Sequence, residues 1–434
     1  MFPKASVVIS TAVQPLGQPD VLDAVRLVLP FSGVAPTAPS RPPSGSRLEL
    51  PAHQAAKTRA RRAWRWRGLV IGAGFVLVLL LSAVASLATV LRTSAADGRP
   101  TTRVVASLPF WNLTDDTGIV AAHPGTFTEV SPWVYGLTAT GQIVAQAPQR
   151  AAETAAATHR LRTLGIPLIP SIANVTDGRW AYQPVATMLH DPAAMAHHIT
   201  DIVTLVTREG YAGIDLDYED LKATDREAFT TFVARLGGAL HTANKILSVA
   251  LFAKTTDAGY DQRNIAQDYA ALGAAVDEVR LMGYDYHWNG SPPGPVAPIT
   301  WIRDVLTYAK TQITPQKIVL GIPLAGYDWV DGHGEEVTWQ QCVDRAKASN
   351  ATVHYDGGQE APWFRYTDTQ GRKHEVWFEN AYSTKAKLDA VKASGIRGVY
   401  LWMYGGADDR TWNQLRQVLP TDATPPPGTD TAPH

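Results

Sequence analysis

Residues 212–219 read "AGIDLDYE". Ile214, Leu216 and Tyr218 alternate with Asp215, Asp217 and Glu219. Residues two apart in a strand share a face, so this run sets three apolar side chains on one side and three carboxyls on the other. A half-buried strand would turn such acids to water. A parallel strand with helices packed over it has no solvent face to give them. The flanking sequence decides between the two.

Seven other short β-prone runs accompany this one, at 103–112, 129–138, 166–174, 246–254, 278–286, 317–329 and 398–406. Helical patterns lie between them, among them "QRAAETAAATHRLRTLG", "DPAAMAHHITDIVTLVTREG" and "TDREAFTTFVARLGGALHTANK". The first ends at Gly165 and the second at Gly210, as helix C-termini often do. Thr224 and Glu227 have the spacing of a capping box at the start of the third. Strands alternating with helices predict parallel βα units, and eight units predict an α/β fold, a closed (β/α)8 TIM barrel. An open doubly wound sheet is the alternative, but no strand here runs into a glycine-rich phosphate loop. The longest interruption, about residues 330–377, reads as a small β-rich insertion between strands seven and eight. It follows a strand's C-terminal end and so belongs on the rim that carries chemistry in such barrels.

Composition narrows the function. The 434 residues carry a formal net charge of −1, with 45% hydrophobic and 18% charged residues. No clustered basic surface of the kind nucleic acid requires is evident, and none is predicted as a partner. The single cysteine, Cys342, excludes an internal disulfide framework and lacks companions for a zinc site. Residues 68–91 contain no charge over 24 positions, enough to cross a hydrocarbon core of roughly 30 Å. Lys57, Arg59, Arg61, Arg62, Arg65 and Arg67 precede this run, which predicts a cytoplasmic N-terminus. The expected organisation is therefore a largely disordered cytoplasmic segment (1–66), a transmembrane signal anchor (67–92), a linker (93–101), the barrel (102–420) and a disordered Pro/Thr tail (421–434). The barrel would then stand outside the cytoplasm. A signal peptide cleaved near "TSAAD" (93–97), releasing a secreted protein, is the competing reading.

Inside a barrel, the acids of "GIDLDYE" would line up at the mouth of strand four. Like charges so close cannot all ionise freely, so at least one holds its proton to higher pH. A carboxyl that stays protonated near neutrality can serve as a general acid. Glu219, longest and nearest the mouth, is the candidate; Asp217 is its ionised neighbour and Asp215 the buried partner sharing the proton. A calcium loop starts with similar spacing, but Asp220 stands where the turn glycine belongs and Arg226 where the closing glutamate belongs. A purely structural hydrogen-bond network is the remaining alternative.

"GIDLDYE" resembles the DxxDxDxE signature of family 18 glycoside hydrolases, the chitinase-like barrels, with Ala212 in place of the first Asp. The likeness runs over residues 103–415. "LMGYDY" resembles the family's MxYD motif and supplies Met282, Tyr284 and Asp285; "GVYLWMYGG" resembles its last strand, with Trp402 as the floor of the −1 sugar site. Within the family, "MGYDYHWNGSPPGPVAPITWI", "LGIPLAGYDW" and "HEVWFENAYSTKAKLDAVKASGIRGVYLWMYGG" are similar to spore-cortex-lytic N-acetylglucosaminidases. The resemblance implies a glycan partner built of β-1,4-linked N-acetylglucosamine, peptidoglycan first and chitin second.

It also implies a substrate-assisted mechanism, in which the sugar's 2-acetamido oxygen replaces an enzymic nucleophile. Glu219 is then acid and base, Asp217 orients the acetamido N–H, and Tyr284 hydrogen-bonds the acetamido oxygen. Asp285 contacts the sugar, and no metal or cofactor is needed. Trp111, Trp133, Trp288 and Trp329 lie at or just past strand ends, where they would wall a groove or pack the core. The rival from another class is a sugar-binding barrel without hydrolysis. Family members of that kind usually lose the Glu or its partner Asp, and both are present here.

Overall fold

The computed structural model describes residues 102–402 and 406–419. The segments 1–66, 67–92, 93–101 and 421–434, with the expected anchor and tail, lie outside the described residues. Eight parallel strands form a closed ring: β1 (Arg103–Pro109), β2 (Glu129–Leu137), β3 (Ser171–Ala173), β4 (Gly213–Asp217), β5 (Ile246–Phe252), β6 (Glu278–Met282), β7 (Ile318–Pro323) and β8 (Gly398–Trp402). Each pairs with its chain neighbours, and β1 closes the ring on β8 through Ser107 opposite Trp402. The eight strands are those expected from the sequence, shorter at their edges.

Alternation sorts the strand residues into two environments. Val104, Ala106 and Leu108 of β1, like Ile214 and Leu216 of β4, point outward into the main apolar core beneath the helices. Their neighbours point into the barrel, where Val105, Phe252, Met282, Val319 and Tyr400 pack together beside buried Arg103, Glu129, Asp215, Glu278 and Arg280. The predicted helices form at Ala151–Thr163, Pro192–Arg208 and Arg226–Thr242, and Gly165 and Gly210 take positive φ of 70° and 67°. The Thr224–Glu227 capping box does not form. Asp225 closes that turn instead, its Oδ2 accepting from the Lys222 N–H at 2.8 Å while His190 holds its Oδ1 at 2.7 Å.

The run 317–329, read as one strand, divides at Leu324. Pro323 ends β7, and Ala325–Val330 opens a separate five-stranded antiparallel sheet with His333–Thr338, Lys373–Phe378, Ala361–Thr367 and His354–Asp356. The helix Trp339–Ala348 packs on it around Val337, Cys342, Phe364 and Val376. Gly321 in β7 matters to the site. A Cβ there would stand 2.6 Å from the Tyr400 ring, so the glycine makes room for a tyrosine that the cleft uses.

Candidate active site

The carboxyl line survives in the structure, but its members have different company. Asp215 is deepest: Ser171 Oγ donates to its Oδ2 at 2.7 Å, Ser248 Oγ donates to its Oδ1 at 2.5 Å, and Arg280 Nη1 lies 3.3 Å from Oδ2. Asp217, at the end of β4, accepts the Trp133 indole N–H at 2.7 Å. Glu219 follows just past the strand, its own N–H donating to Asn174 Oδ1 at 2.8 Å. All three are buried.

Asp217 and Glu219 are close enough to share a proton. Burial pushes the Glu219 carboxyl well above its usual range; the Asp217 charge adds to this, Asp285 adds further, and Arg263 opposes it. Burial also raises Asp217, against the Trp133 hydrogen bond that favours its ionised form. Beyond the shared proton, Asp217 Oδ1 and Glu219 Oε2 meet no donor among the described residues. Two carboxyls with one proton and two open oxygens can deliver a proton and receive a hydrogen bond. The expected sharing between Asp215 and Asp217 is replaced by this outer pair, because two hydroxyls and a guanidinium already occupy Asp215.

The floor beneath is ionic and dry. Arg280 reaches Ser131 Oγ at 2.7 Å, pairs closely with Glu129 and lies 3.4 Å from Glu278. Arg103 joins Glu278 at 3.0 Å and Glu129 at 3.5 Å. On the other side of the cleft, Met282 and Tyr284 come from the end of β6. The Tyr284 hydroxyl meets that of Tyr400 at 2.8 Å, and burial holds the Tyr284 phenol protonated far above its ordinary range. Asp285 adopts a φ of 56°, a left-handed turn that Asp tolerates better than most residues, and accepts the Tyr327 hydroxyl at 3.0 Å.

The three carboxyls, Arg280, Met282, Tyr284, Asp285 and Tyr400 line one cleft of about 1240 Å³. Asp215, Asp217, Glu219, Met282, Tyr284, Asp285, Trp111, Trp133, Trp288 and Trp402, ten of the eleven residues singled out in the sequence, face it. Trp111, Trp133 and Trp402 meet edge to face at centroid separations of 5.7–6.2 Å, a rigid apolar wall. Trp329 does not face the cleft. It is buried, and its indole N–H donates to the Trp288 carbonyl at 3.2 Å, steadying the loop that carries Trp288.

Ser171, Ser248, Arg280 and Tyr400 escaped the sequence reading, although a signal existed. Arg280 stands two before Met282 and four before Tyr284, and Tyr400 two before Trp402, so strand alternation already placed each on the inner face. The Trp133–Asp217 bond and the approach of Glu336 from the insertion had no such local signal. Among the described residues no group of His, Cys, Asp and Glu is arranged to hold a metal ion.

Residues 109–407 match the family described as glycosyl hydrolases family 18. The chain belongs to glycosyl hydrolase family 18. It is a glycosidase-type enzyme, close to spore cortex-lytic enzymes and related to chitinases. It is 35% identical over 251 residues to the cortical fragment-lytic enzyme of Bacillus subtilis, covering 56% of this chain and 58% of that one. The spore cortex-lytic enzyme SleL of Bacillus cereus superposes with a TM-score of 0.67 at 28% identity, over 73% of this chain and 74% of that one. A chitinase of Chromobacterium violaceum gives 0.67 at 29% identity, over 74% of this chain and 99% of that one.

Proposed function

We propose that this family 18 enzyme is a membrane-anchored, extracytoplasmic N-acetylglucosaminidase that cleaves β-1,4-linked N-acetylglucosamine glycans, peptidoglycan first and chitin second. The observation that carries the reading is the buried Asp217–Glu219 pair at the end of β4, each carboxyl raised by burial, in the cleft that Tyr284 also lines. The names of the cortex-lytic relatives favour peptidoglycan, and that of the chitinase keeps chitin second.

The proposed reaction is the substrate-assisted one that the family resemblance implies. Glu219 gives its proton to the glycosidic oxygen as the bond to the anomeric carbon breaks. The substrate's acetamido oxygen forms a new bond to that carbon from the opposite face, giving a cationic oxazolinium ring. Asp217, relieved of the shared proton, accepts the acetamido N–H and balances the positive charge. The Tyr284 hydroxyl donates to the acetamido oxygen. Water then attacks the anomeric carbon while Glu219 takes its proton, the ring opens, and the original configuration returns. Groups set in advance in a cleft lose little to reorganisation as charge develops.

Anchoring rests on the sequence of residues 57–91, a basic run followed by 24 uncharged positions. Among the described residues no helix is long and apolar enough to cross a membrane. The test is digestion of purified peptidoglycan and of chitin oligomers by the full-length chain, with Glu219→Gln alongside and products weighed by mass spectrometry. Fragments ending in reducing N-acetylglucosamine, absent with the variant, are expected. Binding without cleavage by the wild type would make the cleft a lectin-like site and overturn the reading.

A further inference from the structure

The mechanism leaves one carboxyl in the cleft unused. Glu336 lies on the insertion strand His333–Thr338, directly opposite Tyr327 on the paired strand. It lines the same cleft as Glu219 and Asp285. Tyr327 ties the two elements together, since its hydroxyl donates to Asp285 at 3.0 Å. Burial and the Asp285 charge push Glu336 up to about 8, and Asp285 in turn raises Glu219. A series of mutually felt carboxyls therefore crosses the cleft from β4 through Asp285 to the insertion.

We propose that Glu336 is a specificity-determining residue that, with Asp285 and Tyr327, takes the hydroxyls of an uncharged N-acetylglucosamine and turns away a carboxylate-bearing sugar. The proposal rests on the glycosidase reading and names the residue behind the preference for N-acetylglucosamine that the reading states. N-Acetylglucosamine and N-acetylmuramic acid both carry the 2-acetamido group, so substrate assistance does not choose between them. They differ by a lactyl ether that ends in a carboxylate. A further carboxylate brought against Asp285 and Glu336 finds no cation in that pair and is repelled by whichever of the two is ionised. On an alternating strand, only the frame that presents N-acetylglucosamine to this pair is then cut.

The test uses the full-length chain and two probes, chitotetraose and a stem-free tetrasaccharide of alternating N-acetylglucosamine and N-acetylmuramic acid. Wild type, Glu336→Gln and Glu336→Lys are compared for the reducing ends released and for relative kcat/KM. The expected wild-type product from the alternating strand ends in N-acetylglucosamine alone. E336K should improve turnover of the charged probe relative to chitotetraose at least tenfold and release ends of both kinds. E336Q should change the ratio in the same direction by less. An unchanged ratio and a single end type in both variants would overturn the role of Glu336 while leaving the glycosidase reading standing. If the wild type cuts neither probe, the glycosidase reading fails by itself. Calorimetric affinities of the two probes for Glu219→Gln with and without E336K then decide the proposal: a ratio shifted toward the charged probe supports it, and an equal ratio or no binding overturns it.

Discussion

Trp133 and Asp217 lie 84 positions apart in the chain, yet the indole N–H of one donates to the carboxylate of the other at 2.7 Å. The bond crosses from β2 to β4 inside the barrel and settles the orientation of Asp217 before any sugar arrives. A hydrogen bond to a charged group contributes about 1.5–3 kcal/mol. Here it favours the ionised carboxylate, the form that the proposed mechanism needs to accept the acetamido N–H.

Replacing Trp133 by Phe keeps the apolar wall and removes the donor. Asp217, already raised by burial, rises further, so its ionised form is lost at a higher pH than in the wild type. The acid limb of the kcat/KM profile should move upward, with the plateau falling about tenfold. A pH profile of the variant that overlays the wild type would contradict this.

Glu219 must hold its proton to act as acid, and its environment keeps it protonated well above the ordinary glutamate range. The active form is therefore present at low pH and disappears as pH rises through the raised value. Activity should persist beyond the range where an exposed glutamate has ionised, then decline along an alkaline limb. Glu219→Gln should lower kcat by about 10²–10⁴ with little change in ligand affinity, measured as single-turnover rates beside calorimetric binding.

Tyr284 offers the one hydroxyl aimed across the cleft from β6, supported by the Tyr400 hydroxyl at 2.8 Å. Tyr284→Phe removes the hydroxyl proposed to donate to the acetamido oxygen and leaves the ring. Loss of such a preorganised donor costs about 10²–10³ in kcat. Steady-state kinetics should show the loss in kcat with KM nearly unchanged.

Arg280 ties Asp215, Glu129 and Glu278 into one buried cluster. Arg280→Met would leave three buried carboxyls short of their shared cation, a change that costs about 3–5 kcal/mol. The carboxyls can escape that penalty by taking up protons. The loss in Tm relative to wild type should thus be small in acidic buffer and grow as pH rises. A loss independent of pH would show that Arg280 acts through packing rather than charge.

The barrel was legible because helices cover one strand face and the interior lies on the other, and "AGIDLDYE" records both environments in eight residues. Tyr284, Asp285 and Trp402 were legible from short motifs on single strands. What escaped depends on closure of the ring or on the insertion. Nothing near Trp133 signals that it will donate to Asp217. Nothing in "HGEEVT" separates exposed Glu335 from cleft-facing Glu336 until the strand is paired with Tyr327. Pro323 also concealed a boundary, since one continuous β-prone run serves two sheets.

In the proposed mechanism the substrate's own acetamido group, held by Asp217 and Tyr284, is the nucleophile for the bond that Glu219 protonates. Proton NMR of chitotetraose during its first turnovers by the wild type tests this most directly, since two displacements at the anomeric carbon restore its configuration and one inverts it. The β anomer should appear first and convert to the α form only by slow mutarotation. Initial release of the α anomer would mean that water attacks in a single step, and the account would fail.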